Sequence, residues 1–209
     1  MLKKNQNVAI YMEGHIYSEY GKMGMGVLRY LENKIVCVID SKYSKTDISD
    51  HYSNLKPVPI VNNLESAIQL KAEVLILGIA PSGGKVPSDW YPVIKMALSK
   101  GLSIINGLHD LLQNRFNNLV LKKNQWIWDV RVPNFVPEIA TGKAAKLNNK
   151  RLLMVGTDMA CGKMTTALEI LTWSKKNKLN SGFIATGQIG IPITGDGIPL
   201  DAFKVDHAC

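Results

Sequence analysis

Between residues 156 and 166 the chain reads GTDMACGKMTT, a run whose residue types and spacing suit the grip of phosphate. Gly156 and Gly162 bound a turn, and Lys163 follows the second glycine. Backbone N–H groups of such a turn converge into an anion nest. A helix starting near Gly162 adds its unpaired N–H groups and the positive end of its dipole. Lys163 offers a full charge to phosphate oxygens, and Gly162 lets the backbone approach without a Cβ in the way. Such a loop is credible only between a strand and a helix. Residues 150–155 (KRLLMV) read as that strand. Residues 162–176 read as that helix, with Met164, Ala167, Leu168 and Leu171 on one face.

The loop departs from the usual P-loop in two ways. Five residues, not four, separate its glycines, and Met164 stands where a Mg²⁺-binding Ser or Thr is usual. Thr165 is the candidate metal ligand, although each helical step turns a side chain by about 100°. Thr157 and Thr166 complete the expected phosphate-binding set with Gly156, Gly162, Lys163, Met164 and Thr165. Asp158 is unusual, because a carboxylate inside a phosphate nest repels the ligand unless something compensates. Its candidate roles are loop hydrogen bonding, water-mediated contact with Mg²⁺, contact with a cationic substrate group, or catalysis as a base. Cys161 reads as a small loop filler, placed where a helix dipole lowers a thiol pKa.

Residues 181–185 (SGFIA) read as the next strand, followed by a Gly/Pro-rich loop over 186–201. The loop leaves the carboxyl end of that strand, the end where α/β sheets place ligands. Gln188 is a candidate contact for a base, ribose or substrate. Asp196 is the second candidate catalytic carboxylate, and Asp201 a metal partner or base. Asp206 and His207 follow with less weight. In the first half, GIAPSGGK (78–85) follows an apolar run. Its Ser82, Gly83 and Gly84 form a candidate substrate-binding turn, joined by His109 beyond another strand. The run GKMGMG (21–26) is not G-x-G-x-x-G, so it supports classical dinucleotide binding only weakly.

The elements that must hold these residues alternate. Strands are expected at 7–11, 34–40, 73–80 and 102–106, the third almost wholly apolar as a strand buried on both faces should be. Helices are expected at 23–31, 63–70 with an Asn cap, 89–99 and 108–113. Such alternation implies βαβ units on a parallel sheet. The expected fold is therefore α/β: a Rossmann-like domain over 1–123, an irregular connection and linker over 124–149, and the first part of a P-loop domain over 150–209. Trp126 and Trp128 in the connection are expected to pack against the sheet or the next domain rather than to form a ligand platform.

The chain has 209 residues, 46% apolar and 20% charged, enough for a real core. Its formal charge of +8 suits anionic small ligands, and scattered basic pairs without a nucleic-acid-binding motif argue against nucleic acid. Three distant cysteines indicate a reducing compartment. No signal-peptide pattern or run of about 20 apolar residues is present, so a cytoplasmic protein away from the membrane is expected.

GTDMACGKMTTALE (156–169) and ATGQIGIPITGDGIPLDAFKVD (185–206) resemble two signature stretches of a bacterial P-loop family formerly of unknown function, some of whose members are D-glutamate N-acetyltransferases. GIAPSGGK (78–85), INGLHDLL (105–112) and WDVRVP (128–133) are similar to that family's Rossmann-like domain. The resemblance implies acetyl-CoA as donor and an amino acid such as D-glutamate as acceptor. The enlarged loop is also similar to that of dethiobiotin synthetase, which implies ATP and Mg²⁺ instead, although that enzyme has Thr where this chain has Met164. A non-catalytic nucleotide-binding module is the third reading. A P-loop fold needs about five parallel strands, and 150–209 supplies about two. The expectation is therefore a truncated chain with part of its site and little activity, whose open strand edges favour homo-oligomers.

Overall fold

The computed structural model describes residues 2–133, 135, 142–158 and 161–200. Asp201, Asp206 and His207 lie outside the described residues, as do Met159 and Ala160 of the P-loop.

Six parallel strands form one sheet in the order β3-β2-β1-β4-β5-β6. They are β1 (Val8–Tyr11), β2 (Ile35–Ile39), β3 (Ile60–Val61), β4 (Val74–Leu77), β5 (Ser103–Asn106) and β6 (Ile127–Asp129). This is the order of doubly wound dinucleotide-binding sheets, with its switch point between β1 and β4. Every residue of β1, β4 and β5 is buried, which is why their sequences are nearly unbroken apolar runs. Alternating side chains serve two cores. Leu75 and Leu77 meet Ile94, Ala97 and Leu98 on one face, while Ile10 and Ile76 meet Met23 and Val27 on the other. Full burial of each large aliphatic side chain contributes about 1.5–3 kcal/mol.

The helices are α1 (Lys22–Tyr30), α2 (Ile48–His51), α3 (Leu64–Gln69), α4 (Tyr91–Ser99), α5 (Leu112–Phe116), α6 (Lys163–Lys176) and α7 (Gly190–Thr194). The expected Asn cap is present: Asn63 Oδ1 accepts from Ser66 N–H at 3.0 Å. Helix α5 begins at Leu112 rather than 108. Asp129, from β6, accepts the N–H groups of Leu112 and Gln113 and sets the start from across the sheet.

Two expectations need correction. The stretch read as irregular contributes β6, so the sheet extends past residue 123; Trp128 lies within this strand, and Trp126 and Trp128 pack against the core as expected. Residues 150–155 and 181–185, read as strands, form none. Leu152, Leu153 and Val155 are 72%, 82% and 78% exposed, and Ala185 makes only a single bridge to Gly197. A strand is stabilised by its neighbour's hydrogen bonds, and among the described residues neither edge of the six-stranded sheet pairs with these segments. The Gly/Pro-rich loop contains α7, where Pro192 occupies the first turn, which needs no N–H, and Gly195 ends the helix at φ 73°. No helix among the described residues is long and apolar enough to cross a membrane.

Candidate functional site

Helix α6 starts as the sequence predicts. Its cap is Gly162, at φ 97°, a left-handed conformation that a side chain would strain. No side chain caps the helix, so its first N–H groups point into the loop. Lys163 folds over that loop: its Nζ donates to the Asp158 carbonyl and lies 3.4 Å from Cys161 Sγ. Cys161 Sγ in turn donates to the Asp158 carbonyl at 3.2 Å. A Cβ built on Gly156 would lie 2.6 Å from Cys161 Sγ and 3.3 Å from the Lys163 stem, so a side chain at the first glycine would displace those two side chains. Contact with Lys163 lowers the thiol pKa of exposed Cys161. Cys161 is thus both a loop filler and a thiol held next to a cation. The loop concentrates positive charge and N–H donors, the inventory for an anion.

Thr157 and Asp158 are exposed in this loop, Thr165 is half-buried on the first turn of α6, and Thr166 is exposed. Met164 turns away toward α1, where its Cε lies 3.6 Å from a Cβ built on Gly26. Among the described residues no group of three or more His, Cys, Asp or Glu side chains is arranged to hold a metal ion.

The direction of the loop follows from how α6 packs. Met164 meets Gly26, Tyr30 OH donates to Glu169 Oε1 at 2.8 Å, and Lys175 Nζ lies 3.5 Å from Glu32 Oε1. Residue numbers rise together along the two segments, so α1 and α6 run parallel. The N-terminal part of α1 sits at the carboxyl end of β4, where Gly24 N–H donates to Gly78 O at 2.8 Å. The P-loop therefore opens toward the carboxyl end of the sheet.

That end carries the remaining candidates. Ser82, Gly83 and Gly84 form a single turn after β4. His109, after β5, donates its N–H to Gly84 O at 2.8 Å, and its ring lies where a Cβ on Gly84 would be. Gln188 docks on the same group: its Cβ would be 3.0 Å from a Cβ on Gly107, beside Met23. Asp196 lies exposed beyond α7, where its carbonyl accepts from Ala185 N–H at 3.4 Å and Thr194 Oγ1 at 2.9 Å. The structure thus joins Gln188 to the β5 loop and His109 to the glycine turn.

Sequence reasoning missed Arg131, whose Nε donates to Gly107 O at 2.8 Å. It stands inside WDVRVP, and no spacing rule marks it out.

Residues 41–133 match the family model described as a domain of unknown function, DUF1611_N, Rossmann-like domain. Residues 138–209 match the DUF1611_C P-loop domain. The chain carries both domains of the DUF1611 family. A solved DUF1611 family protein from Anabaena variabilis is 43% identical with a TM-score of 0.89, over 98% of this chain and 60% of that one. Proteins named D-glutamate N-acetyltransferase from a Pseudoalteromonas species and from Tritonibacter scottomollicae are 42% and 41% identical over 67% and 68% of this chain. The matches span 42% and 43% of the length of those two relatives.

Proposed function

We propose that this chain carries binding elements of an N-acyltransferase that moves an acetyl group from acetyl-CoA to the amine of D-glutamate or a similar amino acid. The observation that carries the reading is the glycine-capped, lysine-covered start of α6, opening on the side of the sheet where the Ser82–Gly84 turn, His109 and Gln188 lie. The names of the two relatives supply the reaction class.

Acetyl-CoA would supply the acyl group as a thioester. The chain must add a grip on phosphate, a base for the amine, and N–H donors toward the carbonyl oxygen as charge builds there. Gly156, Thr157, Gly162, Lys163, Thr165 and Thr166 line the grip, with Met164 packed behind it. Asp158 and Asp196 are the candidate bases. The amine nitrogen bonds to the carbonyl carbon, the C–S bond breaks, and the amine's proton returns to the departing thiolate through the base. ATP with Mg²⁺ on Thr165 is the competing occupant, and a nucleotide-binding module without catalysis is the third reading.

Calorimetric titration of acetyl-CoA, ATP-Mg²⁺ and D-glutamate into wild type and Lys163→Ala separates these readings. Acetyl-CoA should bind wild type, and the variant should bind it about 10–100-fold more weakly, the effect of losing one charge-assisted hydrogen bond to phosphate. ATP binding without acetyl-CoA binding overturns the acyltransferase reading. Binding of neither by folded protein overturns the phosphate site.

A further inference from the structure

We propose that the groove between α4 and the turn that follows α5 is a second anion-binding site, which takes a small molecule bearing a phosphate monoester. The site goes beyond the acyl-transfer reading, because it lies across the sheet from the P-loop and does not depend on what the P-loop holds.

The groove has a volume of about 430 Å³ and is lined by Tyr91, Lys95, Arg115, Phe116, Asn118 and Leu119. Small-molecule sites fall at about 300–1,000 Å³. The floor is apolar: Phe116 is buried, and Leu119 packs against the same core as Ile94 and Leu98. Met23 and Val27 of α1 belong to the core on the other face of the sheet, and α6 with its P-loop packs on α1.

The rim is cationic. Tyr91 and Lys95 are one turn apart on α4, so their side chains leave the same helix face about 5–6 Å apart. Arg115 reaches across from α5 and lays its guanidinium over the Tyr91 ring, 4.8 Å from the centroid. An edge contact with Phe116, at 5.6 Å between centroids, holds that ring. Stacking engages the π face of the guanidinium and leaves its fork of N–H groups at the edge. Among the described residues no carboxylate or carbonyl takes a proton from Arg115, Lys95 or the Asn118 amide.

Charge around the groove has one sign. Between Trp90 and Trp128 the sequence holds Lys95, Lys100, Arg115, Lys122 and Lys123 against a single acid, Asp110, whose Oδ2 accepts Val86 N–H at 2.6 Å. Two cations at one rim suit a dianion better than a monoanion, and a guanidinium matches phosphate oxygens two at a time. Asn118 adds an amide donor. The apolar floor gives the organic part of an ester a place that free phosphate would leave empty.

NMR titration of the full chain with phenyl phosphate tests this, with benzoate and with chloride at matched ionic strength as the other arms. Phenyl phosphate should shift the Arg115 Nε–H and Asn118 side-chain signals along a saturable curve, about tenfold tighter than benzoate. Arg115→Gln and Lys95→Gln should each weaken that binding about tenfold or more, with unchanged signals elsewhere showing an intact fold. Lys95 is exposed, so Lys95→Gln keeps the fold even where Arg115→Gln, which also breaks the Tyr91 stack, does not. Lys163→Ala, which weakens the P-loop, should leave the curve at Arg115 and Asn118 within about twofold. Non-saturating shifts equal to those of chloride, equal affinity for benzoate, or curves unaltered by Lys95→Gln overturn the site. Saturable binding of a polyglutamate peptide with none of phenyl phosphate overturns it too, since the groove then serves an acidic protein segment.

Discussion

Asp129 should matter more to stability than any other carboxylate in the sheet domain, and its geometry sets the size of the effect. Its Oδ1 accepts Asn106 Nδ2 at 2.8 Å and Leu112 N–H at 3.1 Å, and its Oδ2 accepts Gln113 N–H at 2.9 Å. Asn106 is fully buried and Asp129 nearly so. Asp129→Ala removes both acceptor oxygens and all three hydrogen bonds. Asn106 keeps a bond to Asp110 O at 2.7 Å, but two N–H groups at the start of α5 lose their partner. Hydrogen bonds to a charged group contribute about 1.5–3 kcal/mol each and add less than fully within a network, so the expected loss is about 3–5 kcal/mol. Asp129→Asn is the sharper test. Its Oδ1 keeps two bonds, while its amide turns a donor toward the Gln113 N–H, so the loss should be about 1.5–3 kcal/mol. At roughly 2–4 °C per kcal/mol for a chain of this size, Asp129→Ala should melt about 6–20 °C lower. Urea unfolding followed by tryptophan fluorescence reads this directly, since Trp126 and Trp128 flank and occupy β6. A loss below about 1 kcal/mol for Asp129→Ala, or equal losses for the two variants, would refute the assignment of Asp129 as the remote cap of α5.

Asp40 is fully buried, and its Oδ2 accepts no hydrogen bond. Burial pushes its carboxyl pKa above the ordinary 3.8, opposed by nearby backbone N–H groups. A raised native pKa contributes stability that is fully present below 3.8 and is lost as pH rises through the native value. Asp40→Asn should therefore gain stability relative to wild type as pH rises from 4 toward 7, and a pH-independent difference in urea unfolding would count against it. Cys37 is buried with its thiol pushed up to about 12, whereas exposed Cys161 is lowered by Lys163. Iodoacetamide should label Cys161 long before Cys37 in peptide mapping of native protein, and acetyl-CoA should slow the reaction at Cys161; equal labelling of the two cysteines would contradict the burial of Cys37.

The sheet was legible where composition alone decides the matter. The runs over β1, β2, β4 and β5 are apolar enough to be strands in any context, and Asn63 marks its helix by a local bond. What escaped the sequence depends on partners far along the chain. Helix α5 starts where Asp129 reaches it, 17 residues from Leu112. β6 is three residues long, with Trp126 before it and Trp128 within it, and is a strand only because β5 lies beside it. Residues 150–155 fail for the converse reason: their composition is that of a strand, and no neighbour pairs with them among the described residues. The P-loop was legible because its glycines, lysine and following helix act within a dozen residues. Arg131 was not, because its relation to Gly107 exists only once β5 and β6 are paired.

Two glycines on α1 account for how the loops come to share one side of the molecule. Gly24 and Gly26 are two residues apart, about 200° around the helix, so they lie on nearly opposite faces. A Cβ on Gly24 would lie 2.4 Å from the Met12 sulfur, so this face presses onto β1 and the exit of β4. A Cβ on Gly26 would lie 2.7 Å from Ile189, so that face receives α7 and the start of α6. Helix α1 is thereby a thin spacer with close approach on both sides. The phosphate loop is held one helix away from the sheet, and packed helix axes lie about 8–10 Å apart. Its orientation is inherited from α1, whose own direction is dictated by β1 and by the Gly24–Gly78 hydrogen bond. A P-loop alone specifies an anion. Turned by α1, it faces the carboxyl end of the sheet, where the loops that follow β4 and β5 meet through the His109–Gly84 hydrogen bond.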